Sequence, residues 1–259
     1  MEKIELQNRK GQKIVGVLEK PEGEAKGTAV LQHGWGSNKD KPTIQAIKKG
    51  FINAGFQTFN FDATNASGES DGDYEKSTLG LHWEDLEDVV VWLKKQVWAL
   101  KPLALSGHSK GGYSVVRYVE EHPGDIDYLI PVAPVVSGKL SFDSHMKRDS
   151  EGFNKWKKDG VLITERDGVS TIKHWFQMSE RLDHDLLVHA GKITIPTLFI
   201  VGSKDESCPS EHVQLLADKI ISPSKEFHII SEAPHSFYQK SEQNECTEVI
   251  TTWLKKVMP

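Results

Sequence analysis

Short apolar segments alternate with segments of helical periodicity along most of this 259-residue chain, and the alternation limits the folds it can adopt. Apolar runs such as Thr28–Gln32, Leu103–Ser106 and Thr197–Val201 are typical of buried strands. Between two of them, Pro42–Ala54 places apolar side chains at helical spacing. Strands separated by helices usually pair in parallel, so the pattern predicts an α/β fold with a mostly parallel central sheet and helices on both faces.

One charged segment interrupts this alternation. It also carries large apolar side chains, and two runs that favour strands flank Asp167 and Gly168, a pair typical of two-residue hairpin turns. We predict that residues 138–192 form an inserted lid of helix, hairpin and helix, and that residues 1–137 and 193–259 form the α/β core. The alternative is that the segment adds two more helices to the main domain.

Composition excludes several classes of protein. The net charge is −5, and the basic residues form no stripe that would suggest nucleic acid. Uncharged runs such as Gly50–Phe61 are shorter than the roughly 20 residues of a membrane-spanning helix, and Met1–Glu5 shows no secretory pattern. Cys208 and Cys246 cannot build a disulfide framework or a four-cysteine zinc site. We expect a cytoplasmic protein with no nucleic-acid or membrane partner.

The strongest local motif is Gly107-His108-Ser109-Lys110-Gly111, which follows an apolar strand and opens a helix. This is the context of a G-x-S-x-G nucleophile elbow, where a sharp turn presents a serine hydroxyl above the sheet. Small neighbours are needed because the serine backbone is strained. Ser109 is therefore the candidate nucleophile.

A second glycine-containing turn, His33-Gly34-Trp35-Gly36, follows the strand Thr28–Gln32. An oxyanion hole needs backbone N–H groups that are free of the sheet, and glycine lets the chain approach a substrate. We assign one donor to the N–H of Trp35 and the other to the N–H of Lys110. The alternative is a plain β-turn.

Two further residues complete a candidate triad. Asp205 follows the late strand Thr197–Val201, and His235 follows the last predicted strand. Among 11 histidines, His235 is the one whose loop returns over the strand ends where Ser109 would lie. The chain order serine, aspartate, histidine is that of α/β-hydrolases.

On these motifs the chain resembles the α/β-hydrolase superfamily, in particular small serine-aminopeptidase-like proteins and bacterial cinnamoyl (feruloyl) esterases. The resemblance rests on His33–Gly36, Gly107–Gly112, Gly202–Pro209 and Pro234–Phe237, and it extends over about residues 12–257. It implies an α/β-hydrolase fold and hydrolysis of a small-molecule carboxylic ester through an acyl-enzyme, with no metal or organic cofactor.

Other functions stay open. The same residues could cleave an amide or peptide, as an aminopeptidase does, and Glu180 or Asp183 could then bind a free amine. The fold also serves non-catalytic binding proteins, although Ser109, Asp205 and His235 argue against that. The sequence leaves the oligomeric state undecided, with a homodimer among the alternatives.

Two regions bear on substrate choice. We expect some of the lid's large apolar residues to line the substrate site, the alternative being that they pack only among themselves. The candidates are Phe142, Met146, Trp156, Trp175 and Met178. Similar hydrolases often have an Arg-Gly pair after the fourth strand, but Phe61–Ser70 lacks it, which leaves the shape of the acyl pocket open.

Overall fold

An eight-stranded sheet forms the centre of the computed structural model, which describes residues 1–166 and 169–258. The strands of the described residues, in chain order, are β1 (Glu2–Gln7), β2 (Lys13–Glu19), β3 (Thr28–Gln32), β4 (Gln57–Asp62), β5 (Leu103–His108), β6 (Tyr128–Val132), β7 (Val161–Arg166), β8 (Val169–His174), β9 (Thr197–Gly202) and β10 (Lys225–Ile230). The sheet order is β1-β2-β4-β3-β5-β6-β9-β10. β2 pairs antiparallel with both of its neighbours, β1 and β4, and the other neighbouring strands of this sheet pair in parallel. The predicted mostly parallel sheet is thus confirmed.

Helices cover both faces of this sheet. The α-helices of the described residues are α1 (Pro42–Asn53), α2 (Leu79–Leu93), α3 (Lys110–Glu121), α4 (Gly138–Arg148), α5 (Ser150–Asp159), α6 (Phe176–Ser179), α7 (Ser210–Lys219) and α8 (Lys240–Val257). One apolar cluster joins α2, α3 and α7 to one face, and another joins α1 and α8 to the other. The sheet is thus buried on both sides, which explains why strands such as β3 and β9 are apolar without alternation.

The carboxyl ends of β3, β5, β9 and β10 lie at one edge of the sheet because these strands are parallel. In such sheets ligands bind beyond these strand ends. The loops that carry the predicted site residues therefore converge on that edge.

The segment between β6 and β9 contains α4, α5, the β7–β8 hairpin, α6 and three short 3₁₀ turns. Where the sequence predicts one helix before the hairpin, there are two, because Asp149 ends the first and its carboxylate caps the second by accepting from Gly152 N–H at 2.9 Å. The predicted turn at Asp167 and Gly168 lies outside the described residues. The division into a lid of 138–192 and a core of 1–137 and 193–259 stays our interpretation. Within residues 1–166 and 169–258, no helix has the length and apolarity needed to cross a bilayer.

Candidate active site

Ser109 lies in the turn between β5 and α3, in a strained backbone conformation with φ 58° and ψ −114°. A Cβ on Gly107 would lie 2.3 Å from the carbonyl oxygen of Gly111, and a Cβ on Gly111 would lie 2.3 Å from that of Gln32. Side chains at these two positions would push the elbow apart. The glycines therefore allow the close approach that holds the Ser109 hydroxyl at the start of a helix.

The structure brings Ser109, His235 and Asp205 together, although they are far apart in the chain. His235 Nε2 lies 3.0 Å from Ser109 Oγ, and His235 Nδ1 lies 2.7 Å from Asp205 Oδ2. A carboxylate only accepts hydrogen bonds, so the proton of a neutral His235 is on Nδ1. The Nε2 lone pair then faces the serine hydroxyl, as a general base requires.

Asp205 is held by its own loop. Its Oδ1 accepts hydrogen bonds from the backbone N–H groups of Ser207 and Cys208, both at 2.8 Å, while Oδ2 faces the histidine. The carboxylate is buried. Both oxygens are satisfied, so the aspartate is fixed in one orientation and fixes the imidazole in turn.

A second histidine supports the loop of the first. His108 Nε2 lies 2.8 Å from the carbonyl oxygen of His235, which accepts its N–H, and the two rings are 4.7 Å apart. Burial and the neighbouring His235 lower the pKa of His108 to about 3. His108 is therefore neutral at ordinary pH and acts as a fixed donor.

The turn that carries Trp35 is built on buried histidines. His33 Nε2 accepts from the N–H of Ala63 at 3.0 Å, so its Nδ1–H donates to the carbonyl of Gly34 at 2.7 Å. His82 Nε2 donates to the carbonyl of His33 at 2.7 Å. Burial lowers the pKa of both histidines, which keeps them neutral. These bonds fix the backbone on either side of Gly34.

Neither predicted oxyanion donor is used by a hydrogen bond of the described residues. Across the described ranges, the backbone N–H groups of Trp35 and Lys110 have no hydrogen-bond acceptor within the protein. Lys110 N–H is also at the N-terminus of α3, where the helix dipole favours negative charge. The two N–H groups stay our candidates for stabilising an oxyanion next to Ser109.

A cavity of about 680 Å³ opens above Ser109. Its lining is aromatic, small and polar, with one lysine and no carboxylate among the described residues. The lining residues are Gly34, Trp35, Gly36, Ser37, Lys41, Pro42, Thr43, Ile44, Ser67, Tyr74, His108, Ser109, Ser170, Thr171, His235, Ser236, Phe237 and Tyr238.

The lid's large apolar residues do not line this cavity. Instead they form a separate cluster, in which Phe153 lies edge-to-face with Phe142, Trp156 and Trp175 at centroid distances of 4.8, 6.0 and 5.2 Å. The predicted substrate contacts Phe142, Met146, Trp156, Trp175 and Met178 all belong to it. Rings that pack edge-to-face attract one another and bury their apolar surface within the cluster, so they need no ligand to cover them. The lid meets the cavity through Ser170 and Thr171 of β8 instead.

The loop that lacks the Arg-Gly pair is organised around a buried carboxylate. Asp62 Oδ2 accepts from Lys39 Nζ at 2.9 Å and from the N–H of Glu69 at 2.9 Å, and Lys39 Nζ also contacts Glu69 Oε2 at 2.7 Å. Ser67 of this loop reaches the cavity wall. An ion pair thus fixes the loop and leaves a small side chain at the site.

The acidic residues considered as amine-binding groups lie elsewhere. Glu180 caps α2 by accepting from the N–H groups of Leu79 and Gly80 at 3.0 and 2.7 Å, and it also contacts His184 at 2.7 Å. These hydrogen bonds outweigh burial and lower the pKa of Glu180. Neither Glu180 nor Asp183 lines the cavity.

One surface group could in principle hold a metal ion, but its members already have partners. In the described part of the chain, Glu87, Glu121 and His122 are the three candidate ligands that come together. Glu87 pairs with Arg9 and His122, and Glu121 pairs with Arg117. The group is a surface ion-pair network.

Nothing in the local sequence places Lys173 or Arg181 near the site, and His82 offers one hint. His82 looks like any polar position of α2, and Lys173 and Arg181 are ordinary charges of the lid. Their proximity to the Trp35 turn depends on tertiary packing. A histidine among the apolar positions of a predicted helix is the one local hint available for His82.

Comparison with known proteins supports the assignment to a family. The model of the prolyl oligopeptidase family matches residues 76–259. Mouse mitochondrial palmitoyl-protein thioesterase ABHD10 is 22% identical over 214 residues, covering 81% of this chain and 69% of that protein. Monoacylglycerol lipase of Mycolicibacterium smegmatis is 22% identical over 274 residues, covering 94% of this chain and 93% of the lipase.

Solved structures share the fold over the whole chain. Est1E from Butyrivibrio proteoclasticus with ferulic acid bound has a TM-score of 0.81 at 19% identity, with 98% of each chain covered. Mouse ABHD10 has a TM-score of 0.79 at 20% identity, with 100% of each chain covered. The predicted α/β-hydrolase fold is thereby confirmed. Since the family model matches most of the chain, this protein belongs to the prolyl oligopeptidase family and is a hydrolase with the α/β-hydrolase fold.

Proposed function

We propose that the protein hydrolyses small carboxylic esters through a triad of Ser109, His235 and Asp205. The observation that carries the proposal is the continuous series of contacts from Asp205 Oδ2 to His235 Nδ1 and from His235 Nε2 to Ser109 Oγ, at 2.7 and 3.0 Å. It ends at a cavity large enough for a small ester.

The first half of the reaction forms an acyl-enzyme. His235 Nε2 takes the proton of Ser109 as Oγ bonds to the ester carbonyl carbon. The negative charge that develops on the carbonyl oxygen is stabilised by the N–H groups of Trp35 and Lys110. When the tetrahedral intermediate collapses, the bond to the leaving oxygen breaks and His235 gives it the proton.

The second half releases the acid. His235 removes a proton from water, and the hydroxide oxygen bonds to the acyl carbon. The bond to Ser109 Oγ then breaks, and His235 returns the proton to the serine. Asp205 stays ionised and stabilises the imidazolium that forms twice in the cycle.

The cavity wall supports an ester substrate over one with a free amino group. Trp35, Tyr74 and Phe237 give aromatic surface for an apolar group, whereas no described carboxylate lines the cavity to bind an ammonium. Two of the similar proteins are named thioesterase and lipase, and a third is a structure with ferulic acid bound. These names agree with ester or thioester chemistry.

Peptide hydrolysis is the second candidate, because the family is named for an oligopeptidase. The same triad would serve it. A free amino terminus would need an acidic partner, and Glu180 is occupied at the start of α2. An amide substrate without a free amine is compatible with the cavity.

The test uses p-nitrophenyl esters beside aminoacyl p-nitroanilides. We expect turnover of the esters, reaction of a fluorophosphonate at Ser109, and loss of both in Ser109→Ala with the thermal melt retained. Ser114→Ala, on the same helix but bonded to the carbonyl of Lys110 at 3.1 Å, is the matched control. Faster anilide than ester turnover would favour the peptidase. Ester turnover by Ser109→Ala within tenfold of wild type would exclude the serine mechanism.

A further inference from the structure

Three cationic side chains surround the ring of Trp35. Lys110 Nζ, Lys173 Nζ and Arg181 Cζ lie 4.8, 4.9 and 5.1 Å from its ring centroid. Lys110 comes from the core, while Lys173 and Arg181 come from the lid. Tyr74 stacks on the same indole with centroids 5.8 Å apart. The positive charges are thus concentrated on one residue of the cavity wall.

These cations have no carboxylate partner among residues 1–166 and 169–258. None of them forms a salt bridge there. Arg181 is only 6% exposed, its Nε has no hydrogen-bond partner in those ranges, and its Nη1 reaches Ser141 Oγ at 3.3 Å. Glu180, the neighbouring carboxylate, is engaged with α2 and His184. A buried guanidinium normally has a paired acid, so an anion next to Arg181 would be stabilised.

The surroundings of the two lysines disfavour their charged forms. Burial, together with the charges of Arg181 and Arg148, lowers the pKa of Lys173. Burial and Arg181 also lower the pKa of Lys110 well below its ordinary value. Each ammonium is disfavoured by its surroundings, and an anion placed beside them would reverse that effect.

The cations lie behind the same cavity that contains Ser109. Trp35 and Tyr74 line it, and Thr171 lines it from β8. Lys173 is two residues further along that strand, so its side chain leaves the same face of the hairpin as Thr171. Lys173 is half-buried, whereas Lys110 and Arg181 are buried. Lys173 can therefore meet a ligand, and the other two act through the low-dielectric interior.

We propose that Lys173, Arg181 and Lys110 form a specificity site for an ester that carries a carboxylate, in either its acyl or its alcohol part. The proposal rests on the ester hydrolase function proposed above. Lys173 contacts the carboxylate of the substrate next to Trp35. The buried charges of Arg181 and Lys110 strengthen the electrostatic attraction to it.

The test compares matched pairs of anionic and neutral esters. For the acyl part the pair is p-nitrophenyl 4-carboxybenzoate and p-nitrophenyl 4-carbamoylbenzoate; for the alcohol part it is 4-acetoxybenzoate and 4-acetoxybenzamide. In at least one pair, Lys173→Met should lower the anionic-to-neutral ratio of kcat/KM by about tenfold. Arg181→Lys, which keeps the charge, should retain more of the preference than Arg181→Met.

Lys139→Met is the control, because Lys139 is a well-exposed lid lysine paired with Asp143. It should leave both ratios unchanged. Ratios in Lys173→Met equal to wild type in both pairs would overturn the proposal, provided that the variant melts like wild type. High salt should also reduce the preference in wild type.

A binding measurement separates this proposal from the hydrolytic one. Calorimetry with Ser109→Ala should show, in at least one of the two pairs, the anionic ester binding more tightly than its neutral partner, and the difference should shrink when Lys173→Met is added. If wild type hydrolyses none of these esters, the proposed reaction fails while the calorimetry still decides the anion site. Equal binding of the anionic and the neutral ester in both pairs would overturn the anion site alone.

Discussion

The core side and the lid side of the site differ in whether their polar groups have hydrogen-bond or ion-pair partners. On the core side, His33, His82 and His108 are buried and neutral, and each donates to a backbone carbonyl. On the lid side, Lys173 and Arg181 meet the ring of Trp35 but no carboxylate of the described residues.

This difference separates two tasks. Satisfied hydrogen bonds fix the backbone that presents Ser109, His235 and the oxyanion donors, and fixed geometry favours catalysis. Unpaired cations cost stability in the free protein, and a ligand can recover that cost. Changes on the core side should therefore act on kcat for every ester, whereas changes on the lid side should act on stability or on substrate choice.

The largest effect is expected from Asp205→Asn. The amide can donate to His235 Nδ1, which favours the tautomer with its proton on Nε2 and removes the base facing Ser109. We expect kcat to fall by about 10³–10⁴, with little change in KM. Single-turnover kinetics on a neutral ester would measure this, with exposed Asp218→Asn of α7 as the control. A loss below tenfold would mean that Asp205 does not orient the base.

A large loss of stability is expected from Trp156→Ala in the lid. Trp156 is 4% exposed, packs on Phe153 and Trp175, and donates from Nε1 to the carbonyl of Lys173 at 3.0 Å. We expect a loss of about 3 kcal/mol in denaturant unfolding. The ratio of neutral bulky to acetate ester turnover should not change, since the cluster does not line the cavity. A loss of turnover confined to the bulky ester would show that this cluster contributes to the substrate site.

A smaller effect on kcat is expected from His82→Phe. The change removes the donor to the carbonyl of His33 and so loosens the turn that presents Trp35 N–H. We expect kcat to fall by about tenfold to a hundredfold at nearly constant KM. His228→Phe, which removes a contact with Glu245 away from the cavity, is the control. Unchanged kcat would show that the turn is held by its other bonds.

Most of the fold follows from local sequence patterns. β3 and β6 begin and end where the apolar runs do, and Thr78 caps α2 as its type predicts, with Oγ1 accepting from Leu81 N–H at 3.1 Å. Two elements differ from the predictions. β1 has only two non-polar residues between its charged and polar ones, and it is recognisable only by its pairing with β2. The apolar spacing near the chain's end predicts a helix over Cys246–Val257, but the helix begins at Lys240 because a capping box at Gln239 and Glu242 supports a polar first turn.

The candidate triad could be located from the sequence because each member follows a strand of a parallel sheet. The walls of the cavity could not. Whether Trp156 faces a substrate or another ring depends on how α5 packs on the hairpin, and Glu180 was equally compatible with an amine site and with a helix cap. Glu180 is placed by contacts with Leu79 and Gly80, about a hundred positions away, and Trp156 by packing within the lid. A single sequence carries no signal for either.

The smallest effect is expected from a change to Glu120, a buried residue of α3. Its carboxyl group is 3% exposed, and its Oε1 has no hydrogen-bond partner in the described ranges. Burial raises its pKa from 4.5 to about 8, although Arg117 and Lys192 oppose the shift. The folded state therefore retains a proton that the unfolded chain loses, and stability falls as pH rises from about 4.5 to about 8.

Glu120→Gln removes this penalty. We expect a gain in the free energy of unfolding of about 1–3 kcal/mol at pH 8 that vanishes near pH 4. Urea unfolding at both pH values would measure it, and a gain of equal size at both would show that the amide improves packing and that the carboxyl group carries no charge penalty.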